Sequence, residues 1–359
     1  MSRILKEIDW FLVIPVFILV LLSLVTLFSL NIDFFKGQVA LFALSIIAFL
    51  FFSQSNYKTA SVFAKPIYIF SIIALTFVLI LGIESRGAVR WVEILGFRLQ
   101  FSEVLKPFLA ISLASYLSQI KVFNFRSFLN IFLLLTPIFL LIFFQPDLGN
   151  ALLYAIVVFL AVIYLGFPFR YFILSSLPFI LMAPIFWNFL HDYQRQRVLT
   201  FLNPSLDPLG TSYNVIQSII AVGSGMIMGK GIGQGSQSSL RFLPERQTDF
   251  IFATISEQLG VIGVIIILFC FGVLLYRIWY IFSNTNDNFC KTFAAIVFFT
   301  FLIQIFVNIG MNLGLLPIVG VTLPFVSYGG SSLLSNFIFL GLLNSINKSL
   351  KEDKVLEIG

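Results

Sequence analysis

Long apolar stretches separated by short polar links run through almost the whole chain, and they constrain its fold more than any other feature. A helix of roughly 20 apolar residues crosses a hydrocarbon core about 30 Å thick. This helix length predicts about ten spans, at 9–30, 36–53, 59–83, 102–120, 128–145, 148–167, 170–190, 250–282, 291–312 and 328–347. The predicted fold class is an all-α polytopic membrane protein, with residues 1–359 forming one integral membrane domain.

Composition supports this fold class. Hydrophobic residues make up 59% of the chain and charged residues only 11%, and a soluble protein could not cover so much apolar surface. The net charge of +6 is explained by basic loops at anionic headgroups, so we expect no nucleic-acid partner. The stretch 9–30 is too long for a signal-peptide core and lacks a small-x-small cleavage pattern, so we expect it to stay attached.

Charge placement predicts how the spans are oriented. With both termini in the cytoplasm, Lys and Arg concentrate on the cytoplasmic side, and the short outer loops hold only Lys36, Arg86, Arg90 and Arg98. The fifth and sixth spans are divided only by 145–147 (QPD), where proline ends a helix. One re-entrant element there would move every later loop to the other side, and the charge distribution argues against it.

Two outer segments stand out. Segment 84–101 is a short, polar, basic loop. Segment 191–248, between spans seven and eight, is too long to be structureless in a compact protein, so we expect it to be functional. Within it, 213–228 predicts one or two short helices at the membrane interface. The glycines that follow predict a flexible or tightly turned connection.

Ionisable residues at membrane depth cost roughly 2.5–3.5 kcal/mol each, so they usually face a cavity and pair with another group. Glu103 and Lys106 are three positions apart near the outer end of span four, close enough for an ion pair. The pair could hold helices in register, or it could line an outward cavity. Arg86, Arg90 and Trp91 lie just upstream and favour the cavity.

Two other carboxylates lie in or beside spans. Asp147 opens span six after the QPD break, and capping of the helix N-terminus explains it better than catalysis does. Glu257 lies within span eight and could pair with a basic group, but the sequence does not say which one.

Segment 243–250 (LPERQTDF) joins the long outer segment to span eight and carries the strongest candidate site. Thr248 or Asp249 could simply cap the helix. The alternative is that Asp249 is a general base at the boundary between water and lipid. The polar, glycine-rich segment 320–332, which includes Ser327, precedes span ten, and backbone of this kind is tolerated at membrane depth only when it is buried or lines a cavity.

Cations collect on the same outer side around glycine turns: Arg90, Arg195, Arg197, Lys230, Arg241 and Arg246. Guanidinium groups form bidentate contacts with phosphate, so this cluster favours an anionic substrate such as a lipid pyrophosphate. Contact with anionic lipid headgroups is the alternative. The run 229–231 (GKG) is not a Walker A loop, because no Ser or Thr follows the lysine.

These motifs together resemble the SEDS family (shape, elongation, division and sporulation), in particular its RodA branch. The matching segments span nearly the whole chain in order: 86–91 (RGAVRW), 145–149 (QPDLG), 192–199 (DYQRQRVL), 203–204 (NP), 207–208 (DP), 243–246 (LPER), 248–252 (TDFIF) and 323–332 (LPFVSYGGSS). The sequence departs from the family at Phe101, where proline is usual. Arg246 and 235–238 (GSQS) favour the RodA branch over FtsW.

The resemblance implies a peptidoglycan glycosyltransferase of the bacterial cytoplasmic (inner) membrane. Such an enzyme polymerises lipid II at the outer face for cell elongation and rod shape. The implied partners are a class B penicillin-binding protein and the elongation machinery. The family's candidate catalytic residue corresponds to Asp249, and the tryptophan corresponding to Trp91 is functionally important there.

The chemistry fits a single carboxylate. Transfer from an α-linked sugar pyrophosphate inverts the anomeric carbon, and pyrophosphate leaves readily without the second carboxyl that glycosidases need. Asp249 would deprotonate the acceptor hydroxyl while cations stabilise the departing charge. The predicted substrate-binding residues are Arg90, Trp91, Glu103, Lys106, Arg195, Arg197, Glu245, Arg246 and Ser327.

No cofactor is certain, although a divalent cation could share the charge on the pyrophosphate. The lone His191 and the two cysteines, Cys270 and Cys290, which lie in or beside apolar segments, predict neither a metal cluster nor a disulfide framework. Two other functions remain open: a lipid II flippase, and a non-catalytic scaffold for a transpeptidase.

Overall fold

The computed structural model describes residues 7–85, 88–94, 97–174, 181–182, 187–188, 195–196, 199–201, 203 and 212–358. Its helices are α1 (Trp10–Leu30), α2 (Ile32–Gln54), α3 (Tyr57–Val62), α4 (Ala64–Leu81), α5 (Phe101–Val104), α6 (Lys106–Ser118), α7 (Phe125–Phe144), α8 (Leu148–Tyr164), α9 (Tyr213–Ser224), α10 (Ser236–Ser239), α11 (Ile251–Asn284), α12 (Asn288–Asn312) and α13 (Gly330–Ile358). Among the described residues, six helices are long and apolar enough to cross a membrane, and α8 is a shorter apolar helix.

The described helices overlap the predicted spans, but their ends differ, and α13 continues to Ile358, eleven residues beyond the predicted end at 347. The third and fourth spans are each divided into a short and a longer helix, at Phe63 and Leu105. Most of 170–190 and of 191–211 lies outside the described residues. Polar side chains set several helix starts, since Asn31, Asn124 and Asp287 each accept a hydrogen bond from an N–H of the helix that they precede.

The described residues between 83 and 100 form a three-stranded antiparallel sheet, so the prediction of 84–101 as a loop is wrong. Strands β1 (Ile83–Ser85), β2 (Ala88–Ile94) and β3 (Phe97–Gln100) are adjacent in that order. Trp91 of β2 pairs with Gln100 of β3. Val89, Trp91, Val92 and Ile94 in β2 are residue types enriched in strands, and the charges between them obscured this signal in the sequence. We call the end of the helix bundle that carries this sheet the sheet end.

Helix packing leaves the lipid-facing surface apolar. α13 packs along α2, and α11 packs against α1 and α12. Phe271 and Phe301 are fully buried between helices, whereas Phe51, Phe70 and Phe269 are each more than 60% exposed on membrane-spanning helices. Large exposed apolar side chains of this kind suit contact with lipid.

A polar cluster joins three helices at the end of the bundle opposite the sheet. Arg277 of α11 donates to the buried carboxylate of Asp9 (Nε–Oδ2, 2.7 Å), which also accepts from Asn347 of α13 (2.9 Å). Asn344 accepts from the Asp9 N–H at 2.7 Å. The start of α1 is therefore fixed between α11 and α13.

Helix α11 is interrupted at Gly260, where φ is 64° and ψ is −156°. Segment 225–231 fills the interruption. The N–H groups of Lys230 and Gly231 donate to the Glu257 and Gln258 carbonyls, and the Met226 carbonyl accepts from Val261. The predicted interfacial helix therefore ends at Ser224, and the tightly turned residues after it complete the hydrogen bonding of a broken helix.

Candidate functional site

Asp249 lies in a non-helical turn at the sheet end and does not cap α11. The N-cap of this helix is Phe250, and no side chain caps it. The capping interpretation of Thr248 and Asp249 is therefore wrong. Asp249 is partly exposed, and its carboxylate faces Gly320, where a Cβ would lie 3.9 Å from Oδ2.

The backbone around Asp249 is held from several sides. Each carbonyl from 245 to 249 accepts a hydrogen bond: Glu245 from the N–H groups of Thr248 and Phe250, Arg246 from Thr254 Oγ1, Gln247 from Tyr328 N, Thr248 from Ser327 Oγ, and Asp249 from Asn308 and Asn312 Nδ2. The donors come from this turn, α11, segment 320–329 and α12. A segment with every carbonyl paired is preorganised to hold a side chain in one place.

Asn308 and Asn312 are two residues of the site that were not predicted from the sequence. Both are buried, and both donate to the Asp249 carbonyl, at 3.2 and 2.9 Å. Asn312 also accepts from the Ala253 N–H at 3.1 Å, so it fixes the first turn of α11 as well. The signal available in the sequence was a pair of amides one helical turn apart within an apolar helix, where an unpaired polar group is costly.

Segment 326–327 supports the Asp249 turn from inside the bundle. Ser327, which binds the Thr248 carbonyl, accepts at its own carbonyl from Gln38 (3.4 Å), while Ser23 donates to the Val326 carbonyl (2.6 Å). Gln38 and Ser23 are six and seven residues from the sheet ends of α2 and α1, so this segment is roughly 10 Å inside those helix ends. Asp249 itself lies at the sheet end of α12, because its carbonyl accepts from Asn312, the last residue of that helix.

Asp147 caps α8, as the sequence predicted. Its carboxylate accepts from the Asn150 N–H (3.3 Å) and is buried. It also accepts from Gln100 Nε2 (2.6 Å), Ser102 Oγ (2.9 Å) and Asn150 Nδ2 (2.8 Å). Asp147 therefore joins the start of α8 to β3 and α5.

Segment 319–321 brings the QPDLG and TDF motifs together. A Cβ at Gly149 would lie 3.2 Å from the Val319 carbonyl carbon and would overlap its oxygen, so only glycine allows this approach. Gly320, on the same segment, has a φ of 71°, a conformation that favours glycine, and faces Asp249. The Val321 carbonyl accepts from Asn308 at 2.8 Å.

Glu103 and Lys106 form the predicted ion pair, with Nζ 2.7 Å from Oε1. Both side chains are buried, and Glu103 Oε2 has no partner among the described residues. Lys106 also borders a cavity of about 20 Å³ within the bundle, between α6, α8, α12 and α13. That volume suits roughly one water molecule. Ser102, the residue before Glu103, donates to Asp147 at 2.9 Å.

Arg90 and Trp91 are neighbours on β2. The Arg90 guanidinium carbon is 6.0 Å from the centre of the Trp91 ring, within the range of a cation–π interaction. Both side chains are partly exposed, although Arg90 Nε is buried without a partner in the described part of the chain. The Gln100 N–H donates to Ser331 Oγ at 2.8 Å, which attaches this sheet to the start of α13.

Arg246 and Ser327 are turned into the protein, which does not fit their predicted contact with substrate. Arg246 is 7% exposed, and its Nη1 donates to the Ser238 carbonyl. Burial, and then the charge of Arg241, lower the pKa of its guanidinium. The Ser327 hydroxyl donates to the Thr248 carbonyl and accepts from Leu323 N. Both residues position the Asp249 turn.

The other predicted binding residues differ in the contacts that the structure gives them. Glu245 Oε2 accepts from Thr248 Oγ1 at 3.1 Å within the turn. Arg195 donates to the carbonyls of Trp187 and Asn188 at 2.9 and 2.8 Å. Arg197 lies outside the described residues. In the part of the chain that the structure describes, no group of three or more His, Cys, Asp or Glu could hold a metal ion.

A model of the cell cycle protein family that comprises FtsW, RodA and SpoVE matches residues 3–352. The chain therefore belongs to this family, which is the SEDS family, and the resemblance found in its motifs is confirmed. Over 352 residues it is 37% identical to the peptidoglycan glycosyltransferase MrdB of Escherichia coli K12, and the match covers 94% of each protein. It is 34% identical over 328 residues to stage V sporulation protein E of Bacillus subtilis, covering 88% of this chain and 87% of that protein.

Solved structures show the same fold. One of them is a chain of a peptidoglycan synthase complex that coordinates polymerization and crosslinking. It has a TM-score of 0.83 and 30% identity, and the match covers 96% of this chain and 99% of that one. The rod shape determining protein RodA of Thermus thermophilus has a TM-score of 0.72 and 26% identity, covering 94% and 96%. The predicted fold class, an all-α multi-span membrane protein, is confirmed.

Proposed function

We propose that this protein is a peptidoglycan glycosyltransferase that polymerises lipid II at the outer face of the bacterial cytoplasmic membrane, with Asp249 as general base. The observation that carries the proposal is a partly exposed carboxylate on a turn whose carbonyls are all paired. A general base needs this combination, since its side chain must be reachable and its geometry fixed. The relatives named as peptidoglycan glycosyltransferases supply the reaction class.

In the proposed reaction, Asp249 accepts the proton of the acceptor sugar's 4-hydroxyl as that oxygen attacks the anomeric carbon of the donor. The bond from this carbon to the pyrophosphate oxygen breaks, and the lipid pyrophosphate leaves with the electron pair. Arg90 is a partly exposed cation on β2 at the same end of the bundle, and we assign it to the departing charge. Asp249 then releases its proton to water.

The position of Asp249 in the fold bears on which kind of substrate can reach it. Asp249 lies at the sheet ends of the membrane-spanning helices α11 and α12, so the anomeric carbon would be reached near the depth of a lipid headgroup. A substrate anchored by a prenyl chain keeps its pyrophosphate near that depth, whereas a free sugar nucleotide does not. This arrangement favours a lipid-linked sugar.

The experiment compares Asp249→Asn with Asp33→Asn, an exposed carboxylate at the start of α2. Purified proteins are incubated with labelled lipid II, with and without a class B penicillin-binding protein, and glycan length is resolved on a gel. We expect Asp249→Asn to lose about 10²–10⁴-fold in rate and Asp33→Asn to keep the normal rate. Normal glycan synthesis by Asp249→Asn would overturn the assignment.

We propose that both termini are cytoplasmic, so that the sheet end faces outward. Leu240 is 66% exposed in the outer segment and Val122 is 63% exposed at the opposite end. Cysteine placed at Leu240 should react with an impermeant thiol reagent in intact spheroplasts, and cysteine at Val122 should react only after lysis. Both native cysteines are buried, which keeps the background low. The reverse labelling pattern would move the site to the cytosol and end the proposal.

We propose a class B penicillin-binding protein of the elongation machinery as the partner, on the basis of the synthase complex that contains a similar chain. A vesicle translocation assay and the growth of variant cells separate the rival functions. A lipid II flippase would move labelled lipid across vesicles without forming polymer. A scaffold would leave cells that carry Asp249→Asn able to elongate.

A further inference from the structure

Glu257 is a fully buried carboxylate two helical turns beyond the Asp249 turn, and the proposed mechanism does not use it. Its Oε1 accepts from the Gln237 N–H and its Oε2 from the Ser238 N–H, both at 2.9 Å. Lys230 Nζ lies 3.2 Å from Oε1. The sequence left the partner of Glu257 open, and the structure supplies both a cation and two backbone N–H groups.

The short helix α10, which contains these two N–H groups, is held equally closely from its other side. Arg246 donates to the Ser238 carbonyl. The Leu243 N–H donates to the Gln237 carbonyl at 3.0 Å, so α10 also binds the start of the LPERQTD segment. α10 therefore lies between Glu257 and the segment that carries Asp249, with hydrogen bonds in both directions.

The fit around the carboxylate is close. A Cβ at Gly235 would lie 2.6 Å from Glu257 Cδ, so only glycine allows the chain to pass there. The Arg246 carbonyl, in turn, accepts from Thr254 Oγ1 at 3.0 Å, one turn before Glu257 on α11. Hydrogen bonds therefore lead from Glu257 of α11 to α10, from α10 to Arg246, and from Arg246 back to α11.

We propose that Glu257 is a positioning residue for the transfer reaction: it fixes α10, and through the Ser238 carbonyl it fixes Arg246 and the Asp249 turn. This inference rests on the proposed function. Glu257 acts through its bonds to two backbone N–H groups rather than through its ion pair. The Lys230 side chain is 32% exposed, so its charge is largely screened, whereas the two N–H bonds are shielded.

The main variant is Glu257→Gln, which keeps the side-chain shape but replaces one acceptor oxygen with an NH₂ group. That group cannot accept from a backbone N–H, so at least one of the two bonds is lost. The matched control is Glu7→Gln, which removes a carboxylate paired with Lys348 at 2.8 Å at the opposite end of the bundle. Both proteins are purified at full length and assayed with labelled lipid II.

For Glu257→Gln we expect kcat to fall about tenfold or more with KM nearly unchanged, because a misplacement approaching 1 Å can cost about a hundredfold in rate. Hydrogen exchange should also speed up in peptides that contain Gln237 and Ser238. Glu7→Gln should match the wild type in both measurements. Wild-type kcat for Glu257→Gln, or a loss of kcat with unchanged exchange, would overturn the inference.

Two further variants test the route. If Glu257 acts through Arg246, the double variant Glu257→Gln/Arg246→Gln should be no slower than the slower single variant. Lys230→Met should lose less activity than Glu257→Gln and should leave α10 protected from exchange. A fully multiplicative double variant, or equal losses for Lys230→Met and Glu257→Gln, would contradict the route. Hydrogen exchange does not depend on substrate, so failure of the proposed reaction would show separately, as activity that survives Asp249→Asn.

Discussion

Gly149→Ala tests whether segment 319–321 holds the site together. The added Cβ would overlap the Val319 carbonyl oxygen and lie 3.2 Å from its carbon and 3.4 Å from Val321 Cγ2. Ordinary contact needs roughly 3.5 Å or more between carbon atoms, so the two backbones must separate by an amount on the order of 1 Å. Gly320, which faces the Asp249 carboxylate, lies between the two residues that must move.

Two effects of Gly149→Ala follow from that separation. Overpacking of a close backbone contact costs about 1–3 kcal/mol of folding stability. A displacement of this size next to a reacting group costs about 10–100-fold in rate. We therefore expect a melting temperature lowered by several degrees and a loss of glycan synthesis larger than the loss of folded protein.

Purified Gly149→Ala is compared with Gly223→Ala by lipid II polymerisation on a gel and by thermal melting in detergent. Gly223 lies within α9, and a Cβ there would meet nothing within 4 Å, so alanine should be neutral or slightly stabilising. If Gly149→Ala melted and polymerised like the wild type, the close approach to Val319 would not exist as described. If it only melted earlier, with normal activity per folded molecule, the link to Asp249 would be refuted.

Three further predictions concern buried polar groups, each measured by thermal melting. Lys106→Met should lower folding stability by about 3–5 kcal/mol because it leaves the Glu103 carboxylate buried without its cation. The double variant with Glu103→Gln should recover part of that stability, whereas additive losses would mean that the two groups do not interact. Asn312→Ala should cost about 1–3 kcal/mol by leaving a buried N–H of α11 unpaired, and an unchanged melting temperature would contradict this bond. Asp147→Ala should cost more than the roughly 1 kcal/mol of a lost helix cap, since three side-chain donors lose the same acceptor; Asp147→Asn, which can still cap, should cost less.

Local sequence determined the features whose causes lie within a few residues. The apolar runs predicted the spans because the length needed to cross a bilayer is fixed. The spacing of Glu103 and Lys106 predicted their ion pair, because residues three apart share a helix face. Asp147 was identified as a cap from its place after Pro146. The order of the motifs was enough to indicate the family.

Tertiary structure decided what those residues do together. Asp249 was predicted as a base or a helix cap, and only the folded chain shows that Phe250 occupies the cap while Asn308, 59 positions away, holds the Asp249 carbonyl. The charge of Arg246 predicted a contact with substrate. In the folded chain its guanidinium points to the Ser238 carbonyl of α10, and α10 in turn is bound by Glu257 of α11. Contacts between distant segments have no local periodicity, so the sequence predicted that these residues share one end of the bundle and left their partners to the fold.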